Sequence, residues 1–111
     1  MEKKKVLIFN GSPRKNGETA FMIKTLQEEL GEGYECKTVN AYKADIRPCV
    51  DCRWCFTHQG CAIKDEWQEI LSYIEECDHV VMASPVYFEE VTGMLLSVLS
   101  RLQTYFSARY I

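Results

Sequence analysis

Four cysteines lie close together in the middle of the chain, and thiolates at such spacing can bind metal. Two successive two-residue gaps are followed by a five-residue gap. This spacing lets four thiolates surround one compact centre, and it is closer to the cysteine runs of iron–sulfur proteins than to zinc sites, whose cysteine pairs are separated by a longer segment. A structural zinc ion, a redox disulfide pair and four free thiols remain alternatives. The candidate ligands are Cys49, Cys52, Cys55 and Cys61.

The residues around these cysteines suit an iron–sulfur cluster. Arg53 and Lys64 can offset the negative charge of four thiolates, and Trp54 and Phe56 can shield the centre from water. The sequence therefore favours a cluster in the cysteine loop, which we define as residues 48–63.

A second candidate site is the segment 11–19, which reads GSPRKNGET and joins an apolar strand to a helix. At such a junction in a parallel sheet, unpaired N–H groups and the helix dipole favour an anion. Ser12, Asn16 and Thr19 add hydroxyl or amide donors, and Arg14 adds a guanidinium suited to phosphate. The glycine spacing is neither that of dinucleotide-binding loops nor that of a Walker A loop. We predict a phosphate site here, the alternative being a surface turn.

The segment 84–90, which reads SPVYFEE, follows the third apolar strand and opens at the same edge of the sheet. With strand order 2-1-3, the first and third strands flank a crevice, so one loop can hold a phosphate while the other lies along a planar ring. Pro85 stiffens the turn, and Tyr87 and Phe88 offer aromatic faces. The alternative is that these two aromatic residues simply pack in a hydrophobic core.

Strands and helices alternate along the chain and position these segments. The order β-α-β-(cysteine loop)-α-β-α implies a parallel sheet with right-handed crossovers. The third strand is left as an apolar edge, so either the chain is part of a longer domain or a second subunit covers that edge. The strands are expected at Lys5–Asn10, Tyr34–Asn40 and Asp78–Ser84, and the helices from Asn16 or Gly17 to Leu30, from Asp65 onward, and from Thr92 to about Arg109.

Local signals refine the helices. Asp65 is expected to be the N-cap of the second helix, with Gln68 as its reciprocal partner in a capping box. Cys36 and Cys77 lie on or beside strands and are interpreted as small buried hydrophobic residues. The third helix is expected to present one apolar face, made of Leu95, Leu99, Leu102 and Phe106.

Length and composition set the outer limits. The 111 residues, 47% of them hydrophobic, predict a single domain spanning 1–111. The net charge of −3 argues against binding to nucleic acid or to anionic membranes. Apolar runs are far shorter than the ~20 residues that cross a bilayer, and the basic start lacks a signal-peptide core. We therefore expect a cytoplasmic protein with no membrane partner.

Together, three of these segments resemble a known family. The segment 11–19, the cysteine loop with the following Ile63-Lys64-Asp65, and the segment 84–88 occur in the same order in the flavodoxin-like NAD(P)H-dependent FMN reductases, and specifically in their iron–sulfur flavoprotein branch. The resemblance covers the whole chain. It implies an α/β fold, a three-layer flavodoxin-like parallel sheet of order 2-1-3. Family members continue with two more strands and a helix, so the last strands of the full fold are expected to be missing here.

The resemblance also implies cofactors. FMN would be bound noncovalently, and NAD(P)H would be the co-substrate. The flavin phosphate would be held by Ser12, Arg14, Asn16, Gly17 and Thr19, and the isoalloxazine would lie against Pro85, Val86, Tyr87 and Phe88. The four cysteines of the loop match the family's [4Fe–4S] ligands. No residue is nominated as a catalytic acid or base.

The implied function is flavin-dependent electron transfer from NAD(P)H, or from a ferredoxin-like donor, to a small-molecule acceptor or a ferredoxin-like protein. Relatives are commonly dimers or higher oligomers. Two alternatives remain. The chain could be an electron carrier that does not oxidise nicotinamides, or a non-catalytic remnant whose cysteine loop holds zinc or unmodified thiols.

Overall fold

Three parallel strands form the centre of the computed structural model, which describes residues 2–88 and 90–108. The strands match the predicted segments to within one residue, and the third is shorter by one residue at each end. The strands are β1 (Lys4–Asn10), β2 (Tyr34–Asn40) and β3 (His79–Ala83), and the helices are α1 (Glu18–Leu30), α2 (Trp67–Glu76), α3 (Gly93–Leu99) and α4 (Gln103–Ala108). Short 3₁₀ turns occupy Gly31–Gly33, Trp54–Phe56 and Ser100–Leu102.

The sheet has the order β2-β1-β3, and both strand pairs are parallel. Ile8 of β1 faces Thr38 on one side and Val81 on the other. This is the topology that the alternating pattern and the flavodoxin-like resemblance predict, so that prediction is confirmed. It brings the carboxyl ends of β1 and β3 side by side, at residues 10 and 83.

Helices cover both faces of the sheet, because β1 is apolar on both. Val6 and Ile8 pack on one face against Ile23 of α1. Leu7 and Phe9 pack on the opposite face, against residues of α2 and α3 that include Trp67, Ile70, Leu95 and Val98. A central parallel strand buried on both sides needs this uninterrupted apolar run. The result is the expected three-layer arrangement.

The outer side of β3 is an open edge in the part of the chain that the structure describes. Val80 is 46% exposed and Met82 is 50% exposed, and β3 pairs only with β1 among the described strands. Unpaired N–H and C=O groups flanked by apolar side chains form a surface that another strand or subunit would cover. The predicted apolar edge is therefore present.

The third helix does not run without interruption from Thr92 to about Arg109, as the sequence suggested. It divides into α3 and α4 around a 3₁₀ turn. The Ser100 hydroxyl donates to the carbonyl of Ser97 at 2.6 Å and accepts a hydrogen bond from the backbone N–H of Cys49 at 2.9 Å. Serine side chains that compete for backbone groups in this way disturb helices. Arg109 and the side chain of Phe106 lie outside the described residues.

The predicted capping box at the second helix is also wrong. Asp65 accepts a hydrogen bond from the backbone N–H of Trp67 at 3.0 Å, but α2 begins only at Trp67. The Gln68 amide does not return to Asp65; it donates to the carbonyls of Cys61 and Ile63, at 3.0 and 2.7 Å. The glutamine therefore holds the end of the cysteine loop and does not cap the helix.

Cys36 and Cys77 are partly buried, not fully buried, although each packs beside one of the two apolar clusters. None of the helices formed by the described residues is both long enough and apolar enough to span a bilayer.

The chain passes close to the start of α3 at Gly11. Its N–H donates to the carbonyl of Ala83 at 2.8 Å, which joins the end of β1 to the end of β3. A Cβ atom at this position would lie 2.8 Å from Ser84 Oγ and 2.9 Å from Leu95 Cδ2. At these distances a neighbouring side chain would have to move, so the position disfavours any residue larger than glycine.

We expect Gly11→Ala to lower the free energy of unfolding by about 1–3 kcal/mol, because the added methyl group overpacks the junction of β1, β3 and α3. Urea unfolding followed by circular dichroism measures the change. Gly33→Ala is the matched control, since a Cβ there meets no atom within 4 Å. Equal stability of the two variants would contradict the close approach at Gly11.

Candidate functional site

A cleft of about 730 Å³ lies between the loop after β1 and the loop after β3. Its volume is within the range of ligand pockets, ~300–1,000 Å³. Seven of the nine predicted flavin-binding residues line it, although they come from segments about 70 positions apart in the sequence. These seven are Ser12, Arg14, Asn16, Gly17, Thr19, Pro85 and Tyr87.

The loop after β1 is held by its own side chains. The side-chain amide oxygen Oδ1 of Asn10 accepts a hydrogen bond from the backbone N–H of Ser12 at 3.0 Å. Ser12 Oγ accepts one from the backbone N–H of Arg14 at 3.1 Å. Asn10 also donates from Nδ2 to Oδ1 of Asn40 in β2, at 2.9 Å. These are the local turns that asparagine and serine favour. They fix the backbone, and since the Ser12 hydroxyl donates to no group in the described part of the chain, its hydrogen is available to a ligand.

The start of α1 lies in the wall of this cleft. Gly17 precedes the helix, and among the described residues no side chain accepts a hydrogen bond from its first turn. The first N–H groups of a helix lack partners within the helix, so this end attracts an anion. Arg14 is exposed beside it, and a Cβ on Gly17 would lie 3.0 Å from Arg14 Cβ. Glu18, also in the wall, carries an opposing negative charge.

Hydrogen bonds from one buried threonine tie the two loops together. Thr92, which is fully buried, donates from Oγ1 to the carbonyl of Gly11 at 2.7 Å. The N–H of Thr92 donates to Ser84 Oγ at 3.1 Å, and the Ser84 hydroxyl donates to the carbonyl of Pro85 at 2.8 Å. The separation of the two walls of the cleft is thereby set by the N-cap of α3.

Two of the predicted residues do not line the cleft. Val86 is exposed, and Phe88 is completely exposed with a left-handed φ of 54°. Tyr87 and Glu90 exchange two backbone hydrogen bonds, of 2.9 and 3.0 Å, and so form a tight turn around Phe88. Positive φ is uncommon for a bulky residue. The turn therefore directs only part of the segment 85–88 to the cleft.

Four further residues in the cleft wall were not among the predicted flavin-binding residues, namely Glu18, Phe21, Met22 and Ser84. Phe21 and Met22 are apolar and strongly exposed, at 69% and 66%. They lie off the face of α1 that carries Ile23 into the core. Apolar residues outside the core stripe of an amphipathic helix were the available signal.

All four candidate metal ligands line one pocket in the cysteine loop, together with Arg101. The space between them is only about 20 Å³, close to the volume needed by one water molecule. Among the described residues, no three Cys, His, Asp or Glu side chains converge on a point where one metal ion would be held. Four thiols around one pocket match the donor set of an iron–sulfur cluster, but the loop must open to admit a group of that size.

The backbone around the second cysteine is strained. Asp51 has φ of 55° and Arg53 has φ of 65°, so the residues on both sides of Cys52 are in the left-handed region. Such values are uncommon for residues other than glycine, and strain of this kind tends to occur at functional sites.

The residues that were predicted to offset the thiolate charge and to shield the centre from water do so only in part. Arg53 lines the pocket as predicted, but it pairs with Asp51 at 3.3 Å, and both side chains are exposed. Trp54 stacks on His58, with ring centroids 4.2 Å apart, and is not among the residues that line the cysteine pocket. Phe56 lines the pocket but is also exposed. Lys64 is exposed and lies outside the lining.

The buried cation at this pocket is Arg101, which sequence reasoning missed. Its side chain is fully buried, and NH1 donates to Asp65 Oδ2 at 2.7 Å while NH2 donates to Cys61 Sγ at 3.2 Å. Arginine on a helix is normally interpreted as exposed. The available signal was the spacing of Leu95, Val98 and Arg101, which follow one another at intervals of three residues. This spacing places the charge of Arg101 in the apolar stripe of the predicted helix.

The environment of Asp65 holds it ionised. Burial by itself would raise the pKa of this carboxyl. The hydrogen bond from Arg101, together with the backbone N–H groups of Arg47 and Trp67, outweighs burial, so the pKa of Asp65 is lowered from its ordinary value. Burial correspondingly opposes the charge of Arg101, yet its hydrogen bonds to Asp65 and Cys61 leave the pKa raised.

Helix α3 connects the cleft to the cysteine pocket. Thr92, at its start, contacts Gly11, and Ser100 and Arg101, just after its end, contact the cysteine loop. Eight residues at 1.5 Å per residue place these ends on the order of 12 Å apart. The two cavities share no lining residue among those described. They are separate sites joined by one helix.

Comparison with known proteins gives consistent results. A family model described as NADPH-dependent FMN reductase matches residues 4–111. An iron-sulfur flavoprotein of Methanocaldococcus jannaschii is 32% identical over 98 residues, which are 87% of this chain and 51% of that relative. An iron-sulfur flavoprotein of Archaeoglobus fulgidus is 33% identical over 96 residues, 86% of this chain and 44% of the relative.

A solved structure is also similar. The crystal structure of RosB with bound 8-demethyl-8-formylriboflavin-5′-phosphate has a TM-score of 0.65 and 28% sequence identity, and the match covers 90% of this chain and 42% of RosB. The chain spans about half the length of the curated relatives that it matches.

We expect Asp65→Asn to lower the free energy of unfolding by about 3 kcal/mol at neutral pH, because the buried Arg101 loses its carboxylate partner. The folded-state pKa of Asp65 is lowered, so this stabilisation is present above the unfolded value of ~3.9 and is lost as pH falls through the folded value. Urea unfolding over a pH series measures the difference from wild type, which should shrink in acid.

Asp51→Asn is the control, since its pair with Arg53 is exposed and contributes at most about 1 kcal/mol. A difference for Asp65→Asn that is as large well below pH ~4 as at neutral pH would show that the carboxylate charge is not responsible.

Proposed function

Because the chain belongs to the NADPH-dependent FMN reductase family, we propose that it is a flavin-dependent oxidoreductase with FMN seated in the cleft between the loops after β1 and β3. Electrons would come from NAD(P)H. The observation that carries the proposal is the meeting of seven predicted flavin-binding residues around one cleft that also contains an uncapped helix start. A helix N-terminus beside a guanidinium is a site for a phosphate.

The chain's own residues would bind and orient the flavin. Arg14 and the first N–H groups of α1 would neutralise the phosphate, and the Ser12 hydroxyl, already oriented by the N–H of Arg14, would donate to it. Tyr87 and Pro85 form the opposite wall, where the ring would lie. Val86 and Phe88 would contact the ring only after the turn at Tyr87–Glu90 changes shape.

We propose that Cys49, Cys52, Cys55 and Cys61 hold a [4Fe–4S] cluster. Support comes from the four thiols around one pocket and from the names of the relatives; the exposure of Cys49 and Cys52 leaves the loop room to open. When bound, FMN accepts hydride and a cluster takes single electrons, so the pair can convert a two-electron donor into one-electron steps. Because α3 contacts the flavin cleft at its start and the cysteine loop just after its end, one helix would position both groups.

The proposed partners are a small-molecule acceptor or a ferredoxin-like protein, and a second subunit on the open edge of β3. The exposed Val80 and Met82 favour such a covering partner. Six free thiols suit a reducing compartment, and we therefore propose the cytoplasm.

The direct test is to purify the protein without oxygen, record its visible spectrum, and measure FMN, iron and sulfide before adding NADPH. We expect one FMN and four iron atoms per chain, and bleaching of the flavin band by NADPH. Bound flavin that NADPH does not bleach would instead identify an electron carrier. Zinc or no metal in the presence of FMN would refute the cluster, and absence of flavin after reconstitution would refute the proposal as a whole.

We expect Arg14→Ala to weaken FMN binding by about 1.5–3 kcal/mol, because a charged hydrogen bond to the phosphate is lost. Quenching of flavin fluorescence during titration of the flavin-free protein measures the affinity. The control is Arg53→Ala, which removes another exposed guanidinium, this one in the cysteine loop. If the two variants bind FMN as tightly as wild type, Arg14 has no part in holding the phosphate.

A further inference from the structure

Arg101 contacts residues at both ends of the cysteine loop. We call these two ends, around Arg47 and around residues 61–65, the stems of the loop. Besides Asp65, NH1 of Arg101 donates to the carbonyl of Arg47 at 3.0 Å, just before the loop. Its NH2 donates to the carbonyl of Ile63 at 3.3 Å, at the loop's end, and to Cys61 Sγ at 3.2 Å. A planar guanidinium with five donors in a fixed geometry can bridge such a set, whereas an ammonium cannot.

The hydrogen bond from Arg101 to the sulfur of Cys61 is not needed to hold the two ends of the cysteine loop together. Asp65 and the two carbonyls already join the stems, yet NH2 also reaches the sulfur of a candidate ligand. The Nε of Arg101 is buried and has no acceptor within the described part of the chain. A buried unpaired donor is costly. An acceptor bound in the pocket that Arg101 lines would remove that cost.

We propose that Arg101 is a positioning residue for the cysteine pocket, which orients Cys61 through its N–H···S hydrogen bond and raises the reduction potential of an iron–sulfur cluster bound there. This inference rests on the proposed function. Hydrogen bonds to the sulfurs and local charge are among the factors that set cluster potentials. A donor aimed at a ligand sulfur favours the more negative, reduced state of the cluster.

The geometry explains why the neighbouring Asp65 does not cancel this effect. The carboxylate contacts NH1, whereas the sulfur contacts NH2, so the N–H group that faces Cys61 is not the one that the carboxylate engages. Both members of the ion pair are almost completely buried, and a low local dielectric strengthens a hydrogen bond made there. Arg53, the other arginine at the pocket, is exposed and pairs with Asp51, so water screens it.

The test is a potentiometric titration of the cluster in the oxygen-free holoprotein, monitored by electron paramagnetic resonance, for wild type, Arg101→Gln, Arg101→Lys and the control Arg53→Gln. We expect Arg101→Gln to shift the potential to a more negative value, and Arg101→Lys, which keeps the cation, to shift it less. Arg53→Gln removes the same charge and should shift it least. We also expect iron retention against a chelator to weaken about 10-fold or more in Arg101→Gln.

An unchanged potential in both Arg101 variants, or equal shifts in Arg101→Gln and Arg53→Gln, would overturn the inference. If Arg101→Gln cannot hold a cluster, the result for Arg101→Lys decides. A shifted cluster potential in Arg101→Lys supports the positioning role. Loss of its cluster with unchanged FMN content and circular dichroism also supports that role. Loss of the cluster together with the fold in both variants shows a purely structural role and overturns it. Wild-type protein that lacks iron and sulfide refutes the proposed cluster and this inference with it, whereas the outcomes above leave the proposed function intact.

Discussion

The proposed flavin site depends on the close approach of Gly11 to the start of α3. The carbonyl of Gly11 accepts a hydrogen bond from the Thr92 hydroxyl at 2.7 Å, and the N–H of Gly11 donates to the carbonyl of Ala83 at 2.8 Å. Because the N–H of Thr92 also holds Ser84, the loops on both sides of the cleft are fixed to one point. Thr92 is fully buried, and an unpaired polar group there would cost about 1–3 kcal/mol. The separation of the walls is therefore built into the fold and does not await a ligand.

The same helix extends this constraint to the cysteine loop. Beyond its end, Ser100 and Arg101 bind opposite parts of that loop, and Arg101 is neutralised by Asp65 at the loop's end. A buried ion pair contributes little net stability when compared with apolar packing, although it is strongly destabilising to break. Its value here is geometric, because it holds both stems of a loop whose middle is exposed and strained. A rigid base with an exposed centre is suited to a loop that must open for a cofactor.

The sequence was sufficient for the sheet and for most of the cleft. The apolar run of β1 and the alternation of elements predicted a parallel sheet, the family resemblance implied the order 2-1-3, and turn-forming residues identified the loop at 11–19. Contacts made by polar side chains across long separations were not predictable. Thr92 and Gly11 are 81 positions apart, and Arg101 and Cys61 are 40 apart. Gln68 failed as a capping partner for a different, local reason, because carbonyls of the cysteine loop seven and five positions before it lie within its reach.

The measurement that bears most directly on the central claim compares FMN with riboflavin, which lacks only the phosphate. Fluorescence quenching during titration of the flavin-free protein gives both affinities. If segment 11–19 and the start of α1 hold the phosphate, FMN should bind at least ~10-fold more tightly, which corresponds to one charged hydrogen bond. Equal affinity for the two flavins would mean that the cleft does not recognise the phosphate, and the assignment of the site would be wrong.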